Sequence, residues 1–384
     1  VCGGIAYLAS LADKTLYLNN TAEYVAMIRE KSLLRRILAF AEGLTKSCYS
    51  GQETSDELLS LMAERVMNLR GSLERQALVP MHEILSLTLQ ELRKIDSEKL
   101  AIDSGFPSVN RMLGKLRRQT LNIVAARPAM GKSAFALNIA LNVALKNHVV
   151  AVFSLEMSQS EVGLRFLSST STIKSQDIKQ RLQDHDMAQL TQAIQALVES
   201  RIFVDDSAAT TPADIRAKCR RLFAEQGRLD LVVIDYLQLM GADGKPQNRQ
   251  QEISEISRAL KILSKDLDVP VIALSQLSRN VESRENKRPM LSDLRESGSI
   301  EQDADAVMFL YRDSYYNADG PPSIPEEAEL IIAKNRAGET GTVKLNWFAN
   351  ITTFREKEFF GDREAPPDRG YNPAEQISDD FLPF

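Results

Sequence analysis

The chain has 384 residues, with 43% hydrophobic and 26% charged residues and a formal net charge of −5 at pH 7. This length exceeds what one hydrophobic core usually holds, so at least two domains are expected. The composition is that of an ordinary folded protein. Because the net charge is negative, any contact with nucleic acid must come from a local basic surface rather than from the protein as a whole.

The sequence also bears on where the protein works. Its longest apolar stretch, residues 134–145, is interrupted by asparagines and is too short to span a bilayer. Cys2, Cys48 and Cys219 lie far apart, without the spacing of a metal or redox site, which is typical of reduced thiols. We therefore expect a cytoplasmic protein with no membrane contact. Because the chain starts at Val1 without a secretory leader, we also expect it to begin inside a longer natural product.

Residues 1–76 are predicted to form an all-helical domain. Apolar residues recur at helical spacing in segments 24–28 and 33–38. Thr54 and Glu57 form a capping-box pattern, which predicts that a further helix begins there.

Residues 77–97 are predicted to form a linker that contains one amphipathic helix, from Met81 to about Ile95. Its apolar stripe consists of Met81, Leu85, Leu89 and Leu92. A helix with such a stripe must bury it against something. The partner could be the same chain or a neighbouring subunit, and the sequence favours neither.

From residue 98 to residue 358, apolar strands alternate with helices, which predicts an α/β domain with a mostly parallel sheet. Residues 359–384 are rich in proline, glycine and acidic residues, and we expect this tail to be disordered.

A phosphate-binding loop is predicted between the apolar strand 121–126 and a helix over residues 134–146. Backbone N–H groups of such a loop, together with the helix N-terminus, surround a polyphosphate. The usual pattern begins with glycine, whereas Ala126 stands here, so an ordinary helix start remains an alternative. The residues predicted to bind the nucleotide are Arg127, Pro128, Ala129, Met130, Gly131, Lys132 and Ser133.

Three further strands are predicted to end in Glu156, Asp235 and Gln276. In an open parallel sheet, ligands bind outside the carboxyl ends of the strands, so these side chains are candidates for catalysis. Phosphoryl-transfer chemistry suggests Mg²⁺ at Asp235 and Ser133, a general base at Glu156 and a γ-phosphate sensor at Gln276. A helix cap, a plain strand-end acid and a turn residue are the respective structural alternatives.

A fourth strand, over residues 329–333, is predicted to deliver Lys334 and Arg336 to the same edge of the sheet. Two residues apart on a strand, they point to the same side, and a neighbouring subunit could insert them to stabilise the transition state. A solvated cationic edge is the alternative.

Between Gln276 and the next strand, 306–311, lies a long polar segment without Phe, Tyr or Trp from residue 277 to residue 300. Its cations are Arg279, Arg284, Lys287, Arg288 and Arg295. Cations without aromatic side chains predict contacts to nucleic-acid phosphates rather than base stacking. A solvated charged loop is the alternative.

Taken together, these motifs resemble those of replicative DNA helicases of the DnaB type. The resemblance rests on residues 126–133 (ARPAMGKS), 153–157 (FSLEM), 234–239 (IDYLQL), 275–279 (SQLSR), 293–305 (DLRESGSIEQDAD) and 334–336 (KNR). The alanine at the first loop position is common in that family.

This resemblance implies a RecA-like P-loop motor domain, preceded by a helical collar and a linker helix that docks on the adjacent motor domain. It implies a homohexameric ring that uses ATP and Mg²⁺ to move 5′→3′ on single-stranded DNA. The implied catalytic residues are Lys132, Glu156, Gln276, Lys334 and Arg336, the last two from the neighbouring subunit. The implied DNA contacts are Arg295, Glu296 and Gly298, to which the basic segment adds Arg279.

The resemblance also implies partners. The family's collar binds primase, and a loader places the ring on DNA, although the first collar helices are missing from this chain. The last residues, 378–384, resemble the partner-docking tip of bacterial single-strand-binding proteins, which predicts a further replisome partner, and an inert disordered tail is the alternative. A RecA-type recombinase that forms filaments for strand pairing is the alternative function, and the collar and linker count against it.

Overall fold

The computed structural model describes residues 21–50, 101–180, 182, 184–208, 210–241, 249–316 and 324–357, and single positions 58, 62, 81, 84 and 85. The chain divides into two compact units, Val1–Ile95 and Asp96–Phe384. The predicted capping box at Thr54, most of the linker helix and the tail 359–384 lie outside the described residues, so these predictions stay open.

The first unit contains the helix α1, Thr21–Ser50, which covers both segments whose spacing predicted helices. Several of its apolar side chains, including Ile28 and Leu38, are exposed within this chain. Met81 and Leu85 of the predicted linker helix have helical backbone and are also exposed.

The second unit is an α/β domain, as predicted. Its strands are β1 (Ala101–Ile102), β2 (Leu116–Arg117), β3 (Leu121–Ala126), β4 (Val149–Ser154), β5 (Arg201–Asp205), β6 (Leu231–Asp235), β7 (Val271–Gln276), β8 (Ala306–Tyr311), β9 (Glu326–Asn335), β10 (Gly341–Phe348) and β11 (Thr353–Glu356). Its helices are α2 (Pro107–Leu113), α3 (Lys132–Leu145), α4 (Gln159–Ser171), α5 (Ser175–Gln180), α6 (Asp184–Glu199), α7 (Pro212–Gln226), α8 (Arg249–Asp266) and α9 (Gly298–Asp303).

Nine strands form the main sheet, in the order β11-β10-β9-β8-β3-β7-β6-β4-β5. Strands β8, β3, β7, β6, β4 and β5 are parallel to one another, and β9, β10 and β11 pair in antiparallel fashion. All residues of β3, β4, β6 and β8 are buried. A strand covered on both faces reads as a continuous apolar run, which is why the sequence predicted these strands.

Two hydrophobic clusters cover the two faces of this sheet. The first contains Phe135 of α3 and Phe166 of α4. The second contains Cys219 of α7 and Leu260 of α8. The layers therefore place α3, which follows the predicted phosphate loop, directly against the buried central strands.

The direction of β9 differs from the prediction. We expected its carboxyl end to meet those of β4, β6 and β7, but β9 runs antiparallel to β8, with Asn335 opposite Ala306. Lys334 and Arg336 therefore lie near the amino ends of the parallel strands, whereas the phosphate loop follows the carboxyl end of β3. The sign in the sequence was short, because polar and apolar residues alternate only over residues 327–330, whereas residues 330–333 are all apolar and hide the alternating burial of this strand.

None of the helices that the structure describes is both long enough and apolar enough to cross a membrane.

Leu260 and Ile262 offer a test of the second cluster on one helix. Leu260 is fully buried, whereas 47% of Ile262 is exposed. We expect Leu260→Ala to lower the free energy of unfolding by about 2–5 kcal/mol, because a buried cavity is left behind. Ile262→Ala should change it by only about 0.5 kcal/mol. Urea unfolding followed by circular dichroism measures both, and equal losses would contradict the packing described.

Candidate active site

The backbone of the loop between β3 and α3 has the geometry of a phosphate cradle. Ala129 and Gly131 have positive φ angles of 66° and 95°. A Cβ atom on Gly131 would lie 2.8 Å from Cζ of Phe354, so this position requires glycine. The N–H of Phe135 donates to the Gly131 carbonyl at 2.9 Å, so α3 begins at Lys132, two residues earlier than predicted. The amide groups of this first turn are those that hold an anion.

The loop forms the floor of a cleft of about 300 Å³. The cleft is lined by Ala126, Arg127, Pro128, Ala129, Gly131, Lys132, Ser133, Ala134, Glu156, Arg165, Tyr236, Gln276, Trp347 and Thr352. Of the predicted nucleotide-binding residues, only Met130 is missing from this lining, and its side chain is buried in the first hydrophobic cluster. The parallel strands therefore bring Lys132, Glu156 and Gln276 together, as expected from their strand ends.

Lys132 is the central charge of this cleft. Its Nζ lies 3.8 Å from Oδ1 of Asp235 and 4.2 Å from the centre of the Tyr236 ring. Burial lowers the pKa of Lys132, while the carboxylates of Asp235 and Glu156 act in the opposite direction. A mostly buried cation thus faces one buried and one exposed acid, an arrangement that suits a polyanionic ligand with a divalent cation.

Asp235 fits the role of a metal-site acid. Its side chain is buried at the end of β6, and Oδ1 has no hydrogen-bond donor among the residues that the structure describes. An unsatisfied buried carboxylate oxygen is costly unless a cation compensates for it. Asp235 is not among the residues that line the cleft, but it lies beside Lys132, and Ser133 lines the cleft next to that lysine. The Ser133 hydroxyl and the Asp235 carboxylate are therefore the side chains that could hold Mg²⁺.

Glu156 is exposed in the turn after β4. The alternative reading as a helix cap is wrong, because Ser158 and Glu161 form the capping box of α4 between them. Glu156 is therefore free of that structural duty and faces the cleft beside Lys132.

Gln276 is held by a residue that sequence reasoning missed. The Gln276 backbone N–H donates to Oε1 of Gln238 at 3.2 Å, and Nε2 of Gln238 donates to Oγ of Ser275 at 2.9 Å. The side-chain amide of Gln238 therefore fixes the end of β7 and leaves the exposed Gln276 side chain in the cleft. Only the position of Gln238 three residues after Asp235 could have suggested this role.

Arg165 is a second residue that the sequence did not reveal. It lies on α4, is half-buried and lines the same cleft as the loop. No ion pair of Arg165 is formed within the described residues. A cation in this position adds to the attraction for phosphate.

Lys334 and Arg336 do not line the cleft of their own chain. Nζ of Lys334 donates to the Glu301 carbonyl at 2.5 Å, and burial lowers the pKa of Lys334, as does the nearby Arg336. Arg336 pairs with Asp305 at 3.3 Å and donates to the Gln302 carbonyl at 2.5 Å. Both cations thus lie beside the C-terminal end of α9, where they are partly open to solvent.

The segment after Gln276 is more ordered than a loop. Helical turns cover Arg279–Ser283 and Leu291–Ser297, and α9 follows directly. Val281 and Ile300 are fully buried and attach the segment to the core.

The predicted DNA-contacting residues lie on this segment. Arg279 is exposed and has no ion pair in the described part of the chain. Arg295 and Glu296 lie in the second turn and Gly298 begins α9, but their side chains are outside the described features.

Aromatic rings do reach this segment, although none belongs to it. Nζ of Lys287 lies 4.7 Å from the centre of the Tyr316 ring, and the guanidinium of Arg288 lies 5.9 Å from that of Tyr311. Both tyrosines come from the end of β8 and the turn after it. The absence of aromatic residues between positions 277 and 300 therefore did not mean that no aromatic ring lies beside these cations.

The profile of the family described as "DnaB-like helicase C terminal domain" matches residues 101–356. The chain belongs to this family. It is 45% identical to the replicative DNA helicase DnaB of Geobacillus stearothermophilus over 372 residues, which cover 95% of this chain and 81% of that protein. It is 43% identical to the replicative DNA helicase DnaC of Bacillus subtilis over the same shares of both chains.

Solved structures agree with this assignment. One of them, an isolated ATPase domain, superposes with a TM-score of 0.68 at 40% identity and covers 73% of this chain and 99% of that chain. A DnaB-like replicative helicase, solved in a study of its interactions with primase, gives a TM-score of 0.76 at 34% identity and covers 93% of this chain and 84% of that one. The RecA-like fold is thereby confirmed, and the protein is an ATP-dependent replicative DNA helicase. The recombinase alternative finds no support.

The positive φ of Gly131 predicts a selective defect. We expect Gly131→Ala to abolish binding of a fluorescent ATP analogue, because the new methyl would strain the backbone and meet the Phe354 ring. Gly163→Ala, on α4, is the matched control, because no atom lies within 4 Å of its added Cβ. Fluorescence anisotropy measures binding and a thermal melt confirms folding. Unchanged affinity in Gly131→Ala would contradict the cradle.

Proposed function

We propose that this chain works as one subunit of a homohexameric ring that hydrolyses ATP to travel 5′→3′ along single-stranded DNA and unwind the replication fork. Family membership supports action on DNA within the cell, and we propose the cytoplasm as its location. The proposal rests mainly on one observation. The charged residues of the cleft lie at the carboxyl ends of the parallel strands, whereas Lys334 and Arg336 lie near the amino ends of the same sheet.

In the proposed cleft chemistry, the loop amides and Lys132 hold the β- and γ-phosphates, with Arg165 as an additional cation. Ser133 and Asp235 hold Mg²⁺, which neutralises phosphate charge when bound. Glu156 polarises the attacking water as general base, and Gln276 senses the γ-phosphate. The proximity of Lys132 to both acids supports this distribution of roles.

We propose that Lys334 and Arg336 complete the cleft of the neighbouring subunit. Asn122 pairs with Ala306 and Ala306 with Asn335, so these cations are level with the start of β3. The cleft begins four residues further on, at Ala126, which is about 13 Å along the strand. Groups this far apart cannot act in one active site of the same chain. The separation suits a head-to-tail ring, in which the side of one subunit that carries Lys334 and Arg336 faces the cleft of the next subunit.

For DNA, we propose contacts to the phosphate backbone from Arg279, Arg295, Glu296 and Gly298, the last through its backbone. The exposure of Arg279 supports this. The study of a structural relative with primase supports primase as a partner, and we further propose a loader and a replisome protein that docks on the C-terminal tip.

Lys132→Ala tests the cleft. We expect the rate of ATP hydrolysis to fall by roughly a hundredfold or more, because the charge that faces the phosphates disappears. Forked DNA should not be unwound. The control is Lys146→Ala, after the last residue of the same helix, where the ammonium pairs with Asp103 and is half-exposed. Strand displacement with and without ATP measures the effect. Full unwinding by Lys132→Ala would refute the site.

Mixing two inactive variants tests the shared cleft. Lys132→Ala and Arg336→Ala should each be inactive alone. In an equal mixture, about one interface in four would combine an intact Lys132 with an intact Arg336 from the neighbour. ATPase activity should therefore reappear on mixing. A mixture no more active than its components would show that Arg336 does not act between subunits.

Electron micrographs test the hexamer independently. Closed rings would support it, and open filaments would contradict it.

A further inference from the structure

Arg127 does not behave as a phosphate ligand would. Although Arg127 lines the cleft, its side chain is only 9% exposed, and its guanidinium contacts the segment that follows Gln276. One nitrogen donates to the Leu277 carbonyl at 2.8 Å, and Nε donates to Oε1 of Glu282 at 2.9 Å. A buried guanidinium that donates to two acceptors on another segment fixes the position of that segment relative to its own.

The contact is reinforced by the backbone. The N–H of Leu277 donates to the Ala126 carbonyl at 3.2 Å, so the last residue of β3 and the first residue after β7 are also joined. Two hydrogen bonds therefore tie the start of the phosphate loop to the start of the basic segment, directly after Gln276.

The turn that contains Glu282 is joined to the proposed DNA segment through its neighbours in the chain, Ser278 before it and Arg284 two residues after Glu282. The N–H of Ser278 donates to the Asp293 carbonyl at 3.2 Å. The carboxylate of Asp293 is buried, pairs with Arg284 at 2.6 Å and accepts the Met290 N–H at 2.8 Å. Asp293 stands two residues before Arg295. Polar contacts linked by short stretches of backbone thus connect the phosphate loop with Asp293, in the segment proposed to hold DNA.

We infer that Glu282, through its ion pair with Arg127, is a positioning residue that couples nucleotide binding to single-stranded DNA binding within one subunit. This inference rests on the proposed function. When phosphate binding tightens the loop, Arg127 shifts the Glu282 turn, and the Asp293 contacts transmit the shift to the DNA-facing turn. Coupling between sites is reciprocal, so DNA must alter nucleotide affinity by the same factor as nucleotide alters DNA affinity.

The experiment measures that factor on the full chain. Dissociation constants of a fluorescent, slowly hydrolysed ATP analogue are determined with and without saturating oligo-dT, and those of oligo-dT with and without the analogue. In the unaltered protein, we expect a coupling factor in the range of about 5–150. In Glu282→Gln, we expect the factor to fall below about 2, since the charge that pairs with Arg127 is removed. The affinity for the analogue alone should not change.

Glu285→Gln is the matched control. Glu285 lies on the same segment, is exposed and forms no ion pair with any residue in the described part of the chain, so its coupling factor should equal that of the unaltered protein. A double variant adds a second test. If Glu282 acts through Arg127, Glu282→Gln should not lower the coupling factor further in a chain that already carries Arg127→Gln.

The outcomes separate the inference from the proposed function. If the unaltered protein binds no nucleotide or no oligo-dT, the proposed function fails. If it shows coupling and Glu282→Gln retains the full factor, the inference alone is overturned. A loss of coupling in Glu285→Gln as large as that in Glu282→Gln would also overturn it, because general charge rather than the Arg127 pair would then be responsible.

Discussion

The buried approach of Lys132 to Asp235 is the interaction on which the rest of this structure depends. Removing a cation and an anion from water costs free energy. At 3.8 Å, Nζ of Lys132 is too far from Oδ1 of Asp235 for a hydrogen bond that would compensate for this cost. Under the proposed function, phosphate oxygens would reach the lysine and a divalent cation would reach the carboxylate, and the charges of both groups would then be balanced. The sheet order, with β3 and β6 on either side of β7, holds the two residues at this spacing. The fold thus maintains a site that is electrostatically incomplete without its ligand.

Much of this site could be predicted from the sequence, for a physical reason. Strands buried on both faces are continuous apolar runs, and in a parallel sheet the polar residues that end them must meet. Glu156, Asp235 and Gln276 were found in this way. The same reasoning failed for Lys334 and Arg336, because the apolar run of residues 330–333 does not show strand direction, and the alternation before it spans only residues 327–330.

Other features could not be read from local patterns at all. Arg165 sits on a helix face, and Gln238 meets Gln276 only because β6 and β7 are neighbours in space. The order of the segment after Gln276 comes from single buried anchors such as Val281, which are too widely spaced to produce a helical or strand period. Contacts of this kind depend on the tertiary structure, and they include those that join the phosphate loop to the basic segment.

The antiparallel hairpin that closes the sheet has one more consequence. Trp347 on β10 is the only tryptophan in the chain, lines the nucleotide cleft and packs against Phe354 at 4.4 Å between ring centres. An indole ring in that place changes its emission when the polarity beside it changes. The chain therefore carries its own optical probe of this cleft, so binding of unlabelled nucleotide at the proposed site can be followed without attaching a dye.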